Sequence, residues 1–305
     1  MFNTERVQIF SEIDILNYSV HSDNKKLLGV DYLYKNNIFG DNLVCAVLDT
    51  GCNHYHRALK DKIIGGRNFT NEGKPDDFSD LHGHGTHVAG LISSDALGSF
   101  EGGIAPKAKL LICKVLTSQG YGDNRTVIDG LNYAIEQKVN VINMSLGSTI
   151  ESKELYDVIK RAYDAGIVIC CASGNMGRGD IGDVDELCYP GAYQEVIEVG
   201  SINHDKIPSI FSNSNNMIDC VCYGEKILST FLNNQFAVMD GTSQATPLIS
   251  GCVLLLKEWF IKEFGREPSK DEIYATLIKC STTLGGYNRK LTGFGYIDLK
   301  KVYDR

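Results

Sequence analysis

A serine stands at position 243 in MDGTSQATP (239–247), immediately ahead of LISGCVLLLKEWF, a long apolar run of helical character. Two readings of its hydroxyl fit the residue types and spacing. Serine is a preferred helix N-cap, its oxygen accepting a first-turn amide hydrogen, and Pro247 suits a first turn that needs no donor. A serine hydroxyl in the same place is also a nucleophile, provided that a base removes its proton. HGHGTHVAG (82–90) supplies candidate bases in His82, His84 and His87 as the chain runs into a helix. Three close histidines suggest a metal, yet HExxH is absent and no carboxylate or cysteine is placed like a zincin's. A histidine at a helix start, beside glycines that permit close approach, suits a general base better. Asp49 ends the apolar run NLVCAVLDTG (42–51), as a turn-former or as a group that orients a histidine. Asn175 ends IVICCASGN (167–175), as a turn residue or as an amide donor for a developing oxyanion.

The elements that must position these residues read clearly. Apolar strand-like runs at 42–51, 108–116, 139–148, 167–175 and 195–202 alternate with helical patterns over 124–138 and 152–166. Strands apolar on both faces, alternating with helices, predict an α/β fold. It is three-layer and doubly wound, a mostly parallel sheet with helices on both faces. Asn124 or Asp123 is available to cap the first of those helices. In open parallel sheets the functional groups sit beyond the carboxyl ends of strands, where Asp49 and Asn175 fall.

The blocks AVLDTG, HGHGTHVAG, NMSLGS, ASGN and GTSQATPLISG, in this order, resemble the successive signatures of the subtilases, the subtilisin-like serine peptidases. The likeness runs from about residue 28 to 300. It is nearest to the bacterial intracellular subtilisins through LDTGCNHYHRALKDKIIGGRNFT, IDGLNYAIEQKVNVINMSLGS and ELCYPGAYQEVIEVGSIN. The Asp, His, Ser chain order is that of the subtilisin triad. The resemblance implies Ser243 as nucleophile, His84 as general base and Asp49 as the group orienting His84. Asn175 and the Ser243 backbone amide become the oxyanion hole. Gly120, Tyr121 and Gly122, with Ser145, Leu146 and Gly147, become two extended segments that sandwich a peptide's backbone. The implied activity is that of a serine endopeptidase acting through an acyl-enzyme on intracellular proteins or peptides, with no required cofactor. A noncatalytic subtilase-fold binding or regulatory module is the rival. It has no chemical need for Asp49, His84, Asn175 and Ser243 together.

Several positions depart from the family pattern. A structural calcium is usual in a loop after the histidine helix. Here SSDALGSFEGG (93–103) has Leu97 in place of the asparagine, and Ala58 stands where an aspartate is usual. Calcium prefers several hard oxygen ligands, so that strong site is expected to be degraded. Gln244 stands where many relatives carry a methionine open to oxidation. Met176 follows Asn175 where a glutamate is common. ERVQIFSEI (5–13) occupies the place of an inhibitory extension but lacks the proline whose fixed geometry resists cleavage. Residues 1–24 are therefore read as an N-terminal extension, possible inhibitory propeptide, and 25–305 as the peptidase domain. The extension has no evident place in the sheet.

Composition fits this picture. The chain has 305 residues, 43% of them hydrophobic, with a net charge of −8 and both signs interspersed. No basic surface is supplied for nucleic acid or an anionic membrane. No basic-plus-apolar leader and no long uninterrupted apolar span is present. Ten cysteines are scattered, several in strand-like runs, with no CxxC pair; they suit small hydrophobes in a reducing cytoplasm. With LTGFGYIDLKKVYDR (291–305) as the last residues, little is expected for a dimerising arm, and a homodimer stays open.

Overall fold

The computed structural model describes residues 7–11, 14–15, 24–179 and 185–304. A short strand, β1 (Gln8–Phe10), stands apart from the main sheet. That sheet contains β2 (Val44–Asp49), β3 (Ile63–Asn68), β4 (Lys109–Lys114), β5 (Val141–Met144), β6 (Val168–Ala172), β7 (Ile197–Ile202) and β8 (Cys220–Tyr223). A hairpin of β9 (Ile227–Thr230) and β10 (Phe236–Met239) follows. Two short strands, β11 (Ser281–Thr282) and β12 (Tyr296–Ile297), then complete the nine-stranded sheet. The helices are α1 (Asn24–Leu27), α2 (Asp31–Tyr34), α3 (His84–Ile92), α4 (Asn124–Glu136), α5 (Lys153–Asp164), α6 (Thr242–Phe264), α7 (Lys270–Lys279) and α8 (Arg289–Thr292).

The spatial order is β11-β12-β8-β7-β6-β5-β2-β4-β3, parallel throughout except at β11–β12. From β2 the chain crosses to β3 at the sheet edge, comes back to β4 between the two, and then crosses to β5 on the other side of β2. The switch point therefore lies between β2 and β5, where a doubly wound sheet opens a crevice at the strands' carboxyl ends.

The period of two in the strands decides the layers. In β2, Ala46 and Leu48 face one side, packing with Val127 and Leu131 of α4 and Leu155 and Ile159 of α5. Cys45 and Val47 face the other, with Val88 and Ile92 of α3 and Leu248 and Ile249 of α6. Each large aliphatic side chain so buried contributes about 1.5–3 kcal/mol. All ten cysteines are buried and unbridged, packed as small hydrophobes. Asp123, rather than Asn124, caps α4 by accepting the Thr126 N–H, and Ser152 caps α5 through the Leu155 N–H.

The helix after β10 departs from the expectation in two ways. Its N-cap is Gly241, and Ser243 is the second helical residue rather than the cap. Pro247 lies one turn in, not in the first turn. A proline has no N–H for the carbonyl four residues back, which here is that of Ser243. That carbonyl instead accepts the Ser145 hydroxyl at 2.9 Å, tying α6 to the segment after β5. The edge strand β3, with its two glycines, and the β9–β10 hairpin were not expected from periodicity.

The extension also finds a partner. β1 pairs antiparallel with β10, giving a separate sheet β1-β10-β9 outside the main one. Phe10 and Ile15 are buried with Phe100, Leu228 and Phe236. The remaining extension residues, 1–6, 12–13 and 16–23, lie outside the described residues.

Candidate active site

Asp49 ends β2 and is fully buried; His84 begins α3 and is 3% exposed. Their side chains meet at 2.8 Å, Asp49 Oδ1 to His84 Nδ1. A carboxylate can only accept, so Nδ1 carries the hydrogen and Nε2 is left with its lone pair. Burial disfavours a charged His84, but the Asp49 charge and hydrogen bond together outweigh it and raise the imidazole above its ordinary 6.5. This pair is built for accepting a proton near neutral pH.

Its placement depends on groups that periodicity does not reveal. Gly83, at φ 100°, turns the chain into α3. A Cβ on Gly85 would lie 2.2 Å from the Gly51 carbonyl oxygen, so glycine alone lets the helix start approach the end of β2. Buried Asp80 holds this junction. Its Oδ1 accepts the Thr50 hydroxyl at 2.9 Å and the N–H groups of His82 and Gly83, at 2.9 and 2.8 Å. Its Oδ2 accepts the Thr86 N–H at 2.9 Å and the Thr86 hydroxyl at 2.6 Å. Lys114, at the end of β4, donates to the Thr50 carbonyl at 2.7 Å. The one available signal for Asp80 was a carboxylate just before a helix start, where free amides and the dipole favour it.

Ser243 is 2% exposed, in the first turn of α6, and its hydroxyl donates to the Ser145 carbonyl at 3.2 Å. A first-turn amide has no intrahelical acceptor, so the Ser243 N–H is available to an incoming oxygen. Asn175 follows β6 and is oriented by α6. Its Oδ1 accepts the Thr242 N–H at 2.9 Å and the Thr242 hydroxyl at 2.8 Å. With the oxygen fixed, the Nδ2 donor is the free end of the amide.

Asn175, Ser243 and Thr242 line a cavity of about 240 Å³ whose other walls include Leu146, Gly147, Met176 and Cys188. No charged side chain is among its described lining residues. Met176, half exposed, lies at this cavity. Cys188 was missed by sequence reasoning. A Cβ on Gly147 would lie 2.4 Å from its sulfur, so the glycine makes room for the thiol. A neighbouring cavity of about 130 Å³ lies between Gly120-Tyr121-Gly122 and Leu146-Gly147-Ser148. The two glycine-containing segments thus face one space. Ser145 itself is fully buried, its hydroxyl turned to the Ser243 carbonyl rather than to either cavity.

The three histidines do not converge. The His82 and His84 rings stand 6.3 Å apart and near perpendicular. His87 turns away, its Nε2 at 3.1 Å from the Ile227 carbonyl and 3.0 Å from that of Ala237. Both contacts require an N–H there. A metal reading of the three has no geometric support, since two of them are committed elsewhere.

Residues 40–296 match the model of the Subtilase family. The "Intracellular serine protease" of Paenibacillus polymyxa is 48% identical over 86% of this chain and 81% of its own length. The "Major intracellular serine protease" of Bacillus subtilis (strain 168) is 43% identical over 90% and 86%. "Subtilisin E" from the same organism is 36% identical over 73% and 58%. A family match over most of the chain, at this identity, joins the buried Asp49–His84 pair and the α/β sheet in one conclusion. The chain belongs to the subtilase family and is a subtilisin-like serine endopeptidase.

Proposed function

We propose that Ser243, His84 and Asp49 are the catalytic triad and that Asn175 with the Ser243 amide forms the oxyanion hole. The observation that carries this reading is the buried 2.8 Å Asp49–His84 hydrogen bond, which fixes the tautomer with Nε2 as base. His84 Nε2 takes the Ser243 proton as Oγ attacks the substrate carbonyl carbon. The tetrahedral oxyanion is met by Asn175 Nδ2 and the Ser243 N–H. His84 then returns the proton to the leaving amine nitrogen, the C–N bond breaks, and an acyl-enzyme remains. Water, deprotonated by His84, attacks the ester and releases the acid and Ser243. Peptide main chain is gripped between Gly120-Tyr121-Gly122 and Leu146-Gly147, which face one cavity. The side chain of the residue that supplies the attacked carbonyl, an uncharged one, occupies the cavity lined by Met176 and Cys188. All these groups come from one chain, so the chemistry requires no second subunit.

A fluorophosphonate probe tests the assignment. Capture at Ser243, abolished in Ser243→Ala, is expected; a folded chain beginning at Lys25 that still resists the probe sinks the assignment.

We read residues 1–24 as an inhibitory extension. Its support is the register of β1, in which Gln8 pairs with Val238 and Phe10 with Phe236. The N-terminal end of β1 is thus the end nearer Ser243, and Val7 packs with Met239 and Phe231. Phe231 touches Gly83, the neighbour of His84: a Cβ there would lie 2.2 Å from its ring. The full-length protein should show a low initial rate that rises as the extension is removed. Equal rates from the first seconds for it and a chain beginning at Lys25 rule this out.

A calcium ion does not fit the 95–102 loop. The Leu97 and Phe100 backbones bond to each other, at 2.9 and 3.1 Å, and Leu97 turns into an apolar cluster. The Lys25 ammonium donates to the Glu101 carbonyl at 2.5 Å, and Asp95 pairs with Lys62 at 2.6 Å. An ammonium on one loop carbonyl and two apolar side chains in the same turn support the reading that this loop is a poor source of hard oxygen ligands. We place the enzyme in the cytoplasm, on the printed names of its relatives and on ten buried thiols kept unbridged.

A further inference from the structure

The extension's contacts are more extensive than a plug over Ser243 requires. Beyond the strand pairing, Phe10 and Ile15 fill a pocket made by Leu97, Phe100, Leu228 and Phe236. The Ser99 N–H and hydroxyl both donate to the Ile15 carbonyl. The seat of the extension runs from this pocket at the Leu97–Phe100 turn along β10. Its near end, at Met239 and Phe231, reaches Gly83 beside His84. Its far end is the Phe100 pocket.

We propose that the outer edge of β10, together with the Leu97–Phe100 pocket, is a second peptide-binding site of the enzyme. It takes the leaving-group side of an extended substrate once the extension has withdrawn. Chain direction supports the occupant. A substrate whose acyl side lies between Gly120-Tyr121-Gly122 and Leu146-Gly147 sends its leaving side past Ser243 in the other direction. Each residue further out is then more C-terminal. β1 runs the same way, since Gln8 at Val238 is nearer Ser243 than Phe10 at Phe236. An exposed strand edge pairs with extended main chain of any sequence, and pockets beside it add selectivity. Here both are present, and the pocket is apolar. The substrates favoured are segments that are unfolded for several residues beyond the cut and carry an aromatic or aliphatic residue there. At roughly 3.3 Å per residue, only long substrates reach the pocket.

The proposal rests on the reading that the extension is displaceable, and the test separates the two. Full-length chains carry Phe10→Asp with Ile15→Asp, or the milder Phe10→Ser, to release the extension, and Ser243 labelling verifies that each is folded. Two fluorogenic peptides share everything up to the cut. One ends two residues beyond it; the other continues with the sequence of residues 7–15. In the releasing variants the longer peptide should have a kcat/KM about tenfold higher, expressed mainly in KM. The advantage should be smaller in the unaltered chain, where the site is filled. It should fall toward unity when Asp replaces the peptide's Phe and last Ile, or when Leu97→Asp is added. Equal hydrolysis of both peptides in the releasing variants overturns the proposal, as does an advantage that Leu97→Asp and the Asp-bearing peptide leave intact. If the short peptide is cleaved equally fast with and without the releasing substitutions, the inhibitory reading fails instead.

Discussion

Asn175 illustrates how a single side chain is given one task. Thr242 occupies its oxygen through both N–H and hydroxyl, at 2.9 and 2.8 Å, which leaves the amide hydrogens for charge that develops later. In subtilisin, removing the oxyanion-hole asparagine lowers kcat about 10²–10³-fold. Asn175→Ala should do the same here with little change in KM, while Asn175→Asp, which brings a charge of the wrong sign, should be worse. Equal losses in kcat/KM and in 1/KM for Asn175→Ala, with kcat unchanged, would assign Asn175 to ground-state binding instead. His84 gives the pH dependence. Burial lowers its affinity for a proton, but the Asp49 charge and hydrogen bond outweigh that and raise it above 6.5. The base works only when neutral, so kcat/KM should fall on acidification along a limb centred above pH 6.5. In Asp49→Asn the largest raising group is gone and only the Asp80 charge still opposes burial, so the residual limb should move to lower pH. In the trypsin-type triad the same change costs about 10⁴-fold in kcat, and a loss of that order is expected here. A limb that stays in place in Asp49→Asn would mean that another group sets it.

At the scale of elements, α3 must be held both at its start and along its length. Asp80 secures the start; His87, three residues on from His84, ties the helix to β9 and β10 through the Ile227 and Ala237 carbonyls. Burial, then the nearby His84 charge, push His87 down to about 3. A histidine kept neutral in the fold favours folding fully above its unfolded value of 6.5. That contribution is lost progressively as pH falls from 6.5 toward 3. His87→Gln, which retains a donor but does not titrate, should flatten the acid limb of stability measured by urea unfolding. At neutral pH it should cost about 1–3 kcal/mol for the poorer fit of a buried donor. Unchanged acid sensitivity would remove His87 from that role. These elements also mark what a reader of the sequence could foresee. The strands β2, β4, β5, β6 and β7 and the helices α4 and α5 were legible, because a residue buried on either face leaves a continuous or 3.6-period apolar pattern. Asp49, His84, Asn175 and Ser243 stood out because their motifs lie at the ends of those elements. Asp80 and Cys188 did not, since each acts through a partner distant in sequence, as the Asp80–Thr50 and Gly147–Cys188 contacts do. β1 and β10 were hidden for a related reason. A three-residue strand has too few alternations to register, and only its partner makes it one.

At the scale of the whole molecule, two neighbouring carboxyl groups, Glu198 in β7 and Asp219 just before β8, hold their protons more tightly than usual. Glu198 of β7 is fully buried, with one oxygen accepting the Asn215 amide at 3.2 Å, and its own N–H donates to Asp219 at 2.8 Å. Desolvation raises Glu198 to about 8 and Asp219 to about 6, from ordinary values of 4.5 and 3.8. Both therefore hold their protons more tightly folded than unfolded. Glu198's contribution to stability is complete below about 4.5 and is lost as pH rises through about 8; that of Asp219 is lost between 3.8 and about 6. This slope opposes that of His87, so the enzyme should be most stable in mildly acidic to neutral solution and should loosen in alkali. The loss has a place in the molecule. Glu198 lies beside Gly191 and influences Cys188, the thiol that walls the cavity next to Ser243. An ionised Glu198 would draw water toward its buried position behind Cys188. Glu198→Gln keeps the side chain's size, and its amide oxygen can still accept from Asn215, but it cannot ionise. Its unfolding free energy should change little at about pH 4, below the unfolded carboxyl's value of 4.5. At pH 9 it should exceed that of the unaltered chain by an amount on the order of a few kcal/mol. Any fall in kcat/KM over the same pH range should shrink in parallel, because Cys188 then keeps an uncharged neighbour. Urea unfolding at the two pH values, paired with kcat/KM for an uncharged side chain at the cut, checks both statements. Parallel stability curves for the two chains would mean that Glu198 gives up its proton well below pH 8 and finds water inside the fold.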